Sequence, residues 1–218
     1  MTDAHCHISC GDSSIREFLI GRDFIGLHPW DIPEDASIFA DYLNKMREML
    51  KNNENLGVGE IGLDRLKKRD ILSHEISAFE SQLKLAIEFR RPVILHGAKC
   101  WGRVVSIIRS FAGVDKLPSM VFHGFSRSDG LIPEIVQLGG YISVGPAILN
   151  DHAINYRELV KKIPLDRLLI ETDRTEENAA ECPSIISVAQ KLAELRGTSA
   201  ADLESIIDTN AKVIYKSC

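Results

Sequence analysis

The residues able to do chemistry in this chain come as short clusters of histidine and acid. The first is Asp3-Ala4-His5-Cys6-His7. Alternate residues of a strand face the same way, so His5 and His7 project together, a two-imidazole start for a divalent ion. Gly26-Leu27-His28-Pro29-Trp30 follows, then Gly57-Val58-Gly59-Glu60-Ile61-Gly62-Leu63-Asp64, where a carboxylate stands inside an apolar run. Val93-Ile94-Leu95-His96, Val121-Phe122-His123 and Leu169-Ile170-Glu171-Thr172-Asp173 complete the set. Imidazole nitrogen with carboxylate oxygen suits zinc, manganese, cobalt or iron. Glu60 can bridge two ions through its two oxygens. Ions about 3.5–4 Å apart polarise a phosphoryl or carbonyl group and acidify a shared water. Asp173 can ligate one ion and accept the proton of that water.

Each cluster closes a short apolar run rich in Val and Ile, the pattern of strands buried on both faces. The runs predict strands over 3–8, 15–20, 23–27, 56–61, 92–95, 120–122, 141–144 and 167–170. Residues 36–52 show a 3.6-residue apolar period through Ile38, Phe39, Tyr42, Leu43, Met46, Met49 and Leu50. Further helices are expected over 72–90, 102–111, 130–138, 156–163, 185–195 and 200–215. Thr198 or Ser199 can cap the last, with Asp202 and Glu204 in its first turn. Eight strands alternating with helices imply a (β/α)8 TIM barrel or a doubly wound sheet, and a compact barrel is the expectation. Too few residues separate His7 from Ser14 for a helix crossover, so the first βα unit is truncated. Six of the seven histidines are read at strand ends, with His74 the exception inside a helix. In a barrel those ends converge on one rim, where active sites are built.

Composition bounds the rest. With 218 residues, 44% hydrophobic and 26% charged, the chain is ordinary for a globular protein and too apolar for intrinsic disorder. A net charge of -5 argues against reliance on bulk attraction to duplex DNA. No apolar run reaches the roughly 18 residues of a membrane helix, and the first residues lack a secretory pattern. The five cysteines, odd in number and without a CxxC pair, read as reduced thiols in the cytoplasm. No repeat, linker or low-complexity tract divides the chain, so one domain over 1–218 is expected. The helices show no obvious apolar patch, which implies a monomer.

Taken together, the five blocks Gly-Leu-His-Pro-Trp, Gly-Glu-Ile-Gly-Leu-Asp, Pro-Val-Ile-Leu-His, His-Gly-Phe-Ser and Leu-Ile-Glu-Thr-Asp resemble the TatD family of metal-dependent deoxyribonucleases, within the amidohydrolase superfamily of barrels. The resemblance runs from Asp3 to Asn210. It implies two divalent ions, whether zinc, manganese or magnesium. His5, His7, Glu60 and Asp173 would hold one, and Glu60 would bridge to a second held by His96 and His123. It implies phosphodiester hydrolysis at a 3′ end of single-stranded DNA, with Glu60 and Asp173 catalytic and Asp173 the general base. His28 and Asp64 resemble residues that line the substrate pocket, Asp64 standing behind the ligands rather than among them. Asp3 either receives a hydrogen bond from a ligating imidazole or fixes the strand end. Asn210 is expected to be structural.

The departures concern substrate contacts. Gly97-Ala98-Lys99 follows His96 where an arginine is usual, leaving as replacements Arg103 or Lys99, the latter without the bidentate fork. Arg127 stands where a glycine is common, and Arg174-Thr175-Glu176-Glu177-Asn178 replaces a proline-containing segment. The stretch before Gly26 is short. Lys99 and Arg127, with Arg65, Lys67, Lys68, Arg69 and Arg174, suit either an anionic substrate or solvated loops. Trp30 and Trp101 either stack a base or cover loop surface. Cys6 reads as a packed thiol, while Cys10 and Cys100 sit near the rim as soft-metal donors. Two other functions fit the same sequence. One is a metal-dependent ester or amide hydrolase such as a D-aminoacyl-tRNA deacylase. The other is a non-catalytic metal-binding scaffold, against which the intact donor set argues.

Overall fold

The computed structural model describes residues 1–66, 73–113 and 116–215. Among them, β1 (Thr2–Cys6), β2 (Arg16–Leu19), β3 (Phe24–Ile25), β4 (Gly57–Asp64), β5 (Val93–Ala98), β6 (Met120–Phe122), β7 (Gly140–Val144) and β8 (Leu168–Ile170) follow in barrel order. Strands β3 to β8 form one sheet in sequential order and β1 pairs with β2, every ladder parallel. The ladder breaks at two seams. Between β8 and β1, the Asp173 N–H donates to the His5 carbonyl at 3.1 Å and the His7 N–H to the Arg174 carbonyl at 2.8 Å. Between β2 and β3, Ile20 bridges Phe24 in parallel. The architecture is the expected TIM-barrel-like α/β fold.

The strand expected over 15–20 forms as β2. No helix occupies residues 7–15 between β1 and β2, in keeping with a truncated first unit. The second unit lacks its helix too: Gly21, at φ +88°, turns the chain directly from β2 into β3. Helices α1 (Ala36–Asn52), α2 (Ser73–Phe89), α3 (Trp101–Ala112), α4 (Ile132–Gln137), α5 (Ile154–Lys162), α6 (Ile185–Arg196) and α7 (Ala200–Ile214) follow the expected segments. Asp35 caps α1 by accepting the Ser37 N–H, and Ser199 rather than Thr198 caps α7 by accepting the Asp202 N–H. Asn210 is structural as expected. Its amide donates to the Leu165 and Leu168 carbonyls, both at 2.8 Å, tying α7 to the start of β8.

Every residue of β4 is buried, Glu60 and Asp64 included. Around it Val58, Ile61, Leu63, Ile94, Leu95, Val121 and Phe122 are fully enclosed. Each such side chain contributes roughly 1.5–3 kcal/mol, and this apolar bed fixes the polar groups it carries. Three sequence expectations change here. Trp101 is buried against Phe122 and Phe125, so it neither stacks a base nor covers a loop. Cys100 is buried with its thiol donating to the Leu63 carbonyl at 3.1 Å, and burial pushes it up to about 12, which removes it as a soft-metal donor. His152 lies in the turn before α5, beyond a short 3-10 helix (Pro146–Leu149), so five histidines rather than six end strands. Lys67, Lys68 and Arg69 lie outside the described residues. No helix among the described residues is long and apolar enough to cross a membrane.

Candidate metal centre and adjoining cavity

Strand alternation puts Glu60, Gly62 and Asp64 on one face of β4, and the β4–β5 register pairs Gly62 with His96. The imidazole of His96 therefore lies between two carboxylates. Its Nδ1 is 2.5 Å from Glu60 Oε1 and its Nε2 2.8 Å from Asp64 Oδ2. Gly62 makes the approach possible: a Cβ there would stand 2.0 Å from the His96 carbonyl oxygen.

Glu60 divides the surrounding imidazoles between its oxygens. Oε2 faces His5 Nε2 at 3.5 Å and His7 Nε2 at 3.7 Å. Oε1 faces His96, His123 Nε2 at 3.1 Å and His28 Nε2 at 3.9 Å. Asp173 Oδ1 reaches His5 Nε2 at 3.3 Å and His7 Nε2 at 3.6 Å. At this cluster three donor sets lie with their atoms within 4.8 Å of one another: His5, His7 and Glu60; His5, His123 and Asp173; His28, Glu60 and His96. All six expected metal-binding side chains thus converge. His123 stands closer to the His5 side than the expected grouping implies.

Does this set fit a cation? His5 is fully buried, and neither ring nitrogen has a hydrogen-bond partner. A bare interior imidazole is costly, and a divalent ion taken by Nε2 between two carboxylates removes that cost. The donor set therefore fits metal binding.

The protonation balance is that of an imidazolium–carboxylate network. Burial opposes ionisation of Glu60, but the charge of His123 and hydrogen bonding to His123 and His96 hold it well below the usual carboxylate range. Burial likewise opposes charge on His123, yet Glu60 and Glu171 hold it well above an ordinary imidazole. His96 is raised because Asp64 and Glu60 outweigh burial. Burial would lift Asp173, but the facing His5 and His7 rings and the charge of His123 bring it down.

The remaining expected residues separate. His28 is driven down to about 4 by burial, so it is neutral near pH 7. Its Nδ1 accepts the Trp30 N–H at 3.2 Å, which leaves the proton on Nε2, facing the cluster. His28 is thereby a donor toward the site rather than a ligand. Asp64 is buried, holding His96 and accepting the Leu66 N–H, and is closed to substrate. Asp3 takes no ring N–H. It accepts the His5 and Thr172 N–H groups and the Thr172 hydroxyl, fastening β1 to the end of β8, while burial pushes it up to about 7. Lys99 is exposed in a left-handed turn after β5 and joins neither the cluster nor the cavity wall. Arg127 does line a cavity of about 720 Å³ that also takes in His152, Asn155, Tyr156, Glu171 and Asp173. Arg174 sits on the other side of β8, near Asp3 and Cys182.

Sequence reasoning left Glu171 and Tyr156 without a role. Glu171 Oε1 accepts the Gly124 N–H at 2.7 Å and faces His123 Nδ1 at 3.2 Å. The signal was its position two residues before Asp173, on the same side of an extended segment. Tyr156, at the start of α5, has its hydroxyl on the Gly145 N–H and is raised by burial and the nearby Glu171 charge.

A parallel barrel with imidazoles and acids gathered at one rim defines a metal-dependent hydrolase. Residues 20–216 match the profile of the TatD related DNase family, and the chain belongs to that family. Bacillus subtilis YabD, named a metal-dependent hydrolase, is 29% identical over 202 residues, spanning 88% of this chain and 76% of YabD. The 3'-5' ssDNA/RNA exonuclease TatD of Pantoea vagans is 28% identical over 205 residues, with 88% and 76% covered. The crystal structure of Escherichia coli YJJV, a TatD homolog, has the same fold, with a TM-score of 0.80 at 24% identity over 99% of this chain and 97% of that one. His5 and His7 precede the matched residues, so their place in the centre rests on geometry.

Proposed function

We propose that residues 1–218 form one hydrolase domain that removes nucleotides from the 3′ end of single-stranded DNA, acting as a monomer in the cytoplasm. The observation that carries the reading is the division of imidazoles between the two oxygens of Glu60, beside a His5 with bare nitrogens. His5, His7, Glu60 and Asp173 would hold one divalent ion, and Glu60, His96 and His123 a second. When bound, such ions polarise the phosphoryl group and acidify water. The names of the relatives support a nucleic-acid substrate.

The chain's own groups do the rest. Asp173, kept ionised by its neighbours and 47% exposed at the side chain, can take a proton from the attacking water. The proton then passes to the leaving 3′ oxygen. His28 donates its Nε2–H to a phosphate oxygen, and Arg127 draws the backbone toward the cavity. Asp64 and Glu171 orient His96 and His123 as carboxylate–imidazole pairs.

The test is hydrolysis of 5′-labelled single-stranded DNA by metal-loaded and chelated protein, with bound metal measured in parallel. A ladder shortening from the 3′ end, stopped by chelation, is expected. Intact DNA in the presence of bound metal contradicts the nuclease assignment and points to ester or aminoacyl substrates.

A further inference from the structure

A second group of donors lies on β1, β2 and the chain between them. The β1–β2 ladder pairs Asp3 with Glu17 and Cys6 with Leu19, three steps on one strand against two on the other. The extra residue breaks the strict alternation of faces, so Asp3 and Cys6 reach the same space. Their donor atoms and that of Glu17 all lie within 4.8 Å of one another. Tetrahedral bonds of about 2.0–2.3 Å set ligand atoms about 3.3–3.8 Å apart, so a modest contraction would close the set on an ion.

Cys10 supplies a fourth donor. Its N–H donates to Glu17 Oε1 at 2.7 Å, and the Ser9 hydroxyl donates to Oε2. Burial and the neighbouring Glu17 charge push the Cys10 thiol up, which puts that sulfur beside the same carboxylate. Cys6 and Cys10 stand with three residues between them, a spacing that suits paired zinc ligands. Negative charge is concentrated here. Asp3 and Glu17 accept hydrogen bonds from Thr172, Ser9 and backbone N–H groups, and among the described residues no lysine or arginine pairs with either carboxylate. The Cys6 thiol has only a long contact, 3.8 Å to the Phe18 carbonyl. Burial and the charges of Asp3 and Glu17 push it up. A bound cation reverses such a field and takes the proton's place on a ligating thiol.

The donors can be reached from solvent. Cys10 is exposed and shares with Asp3 the wall of a cavity of about 90 Å³. Glu17 lines another of about 320 Å³. Both are well above the roughly 10–15 Å³ that one water needs. Arg174, on the wall of the smaller one, offsets part of the excess negative charge.

We infer that Cys6, Cys10, Glu17 and Asp3 form a metal site separate from the hydrolytic cluster, taking one thiophilic divalent cation of the zinc class. It shares no residue with the donor sets around Glu60. The inference does not depend on the substrate proposed above. The chain between β1 and β2 has no helix to pack it down. An ion held by Cys6 from β1, Cys10 from the connection and Glu17 from β2 closes that truncated unit on itself. His5 lies on β1 and His7 directly follows it, so the same ion steadies the strand that presents both imidazoles.

Cadmium is the probe, because a cadmium–thiolate bond absorbs in the ultraviolet whereas the hydrolytic cluster offers only nitrogen and oxygen. Reduced, chelator-stripped protein is titrated with cadmium and the thiolate band is followed. Wild type is expected to develop a band of two thiolates per chain and to lose it when excess zinc is added. Cys10→Ser, at an exposed position, is expected to keep the fold, halve the band and weaken the binding it reports at least about tenfold, since even partners behind the ligands cost that much. Glu17→Gln is expected to weaken binding by a similar factor while keeping the full band at saturation. Cys182→Ser, on the same small cavity but outside the set, is expected to change neither. A wild type without a thiolate band at cadmium concentrations that fill the hydrolytic cluster overturns the inference. So does a band that Cys10→Ser leaves intact or that Cys182→Ser removes. Wild-type affinity in Glu17→Gln overturns the role of Glu17.

Discussion

Glu60, Asp64 and His96 stand on two adjacent central strands, enclosed by apolar side chains, with ring and carboxylate atoms facing one another. Arg127, His152 and Asn155 stand on the segments after β6 and β7, exposed, around a cavity. The first region is fixed by ladder register and burial, so a small displacement there leaves charge unpaired. The second is fixed by loop conformation, including a left-handed Arg127 at φ +57°. On the function proposed above, the chemistry belongs to the strand-fixed part of the barrel and substrate choice to its loops.

The contrast can be broken most forcefully at Glu60. Glu60→Gln removes the charge that five imidazoles face, and both metal content, by elemental analysis, and hydrolysis are expected to collapse. Retention of two ions per chain would show that Glu60 is not their bridge. Asp64→Asn touches only the support of His96, and metal affinity is expected to weaken about 10–100-fold while the fold persists. Competition against a chelating dye measures this, and unchanged affinity would make Asp64 a mere strand-end residue.

The smallest expected effect concerns His28. Burial holds it at about 4, against an ordinary 6.5. The unfolded chain therefore binds more protons between those values. The stability contribution is present above pH 6.5 and is lost as pH falls toward 4. In metal-free protein, His28→Gln is expected to flatten the fall in Tm over that window by a few degrees, on the order of 1 kcal/mol. An unaltered slope would mean that His28 is hydrated rather than buried.

The donor cluster was legible because strand alternation and strand ends are written in local sequence: His5 and His7, Glu60 and Asp64. The fold followed from the same runs, and the strands expected over 15–20 and 23–27 left only residues 21–22 for the turn that Gly21 makes. Trp101 misled because position after a strand end says nothing about which way an aromatic ring packs. Glu171 was hidden for a related reason. Its partners are His123 and the Gly124 N–H, far away in sequence. Lys99 and Arg127 looked alike as rim cations, and only three-dimensional placement separates them.

The most direct trial of the central claim is single-turnover trimming of 5′-labelled single-stranded DNA by Asp173→Asn, at metal concentrations that saturate both variant and wild type. An asparagine keeps the shape and removes the base. A fall of about 10²–10⁴-fold with intact secondary structure is the expected result. A rate within a few fold of wild type would contradict the assignment of Asp173 and of the cluster as the site of hydrolysis.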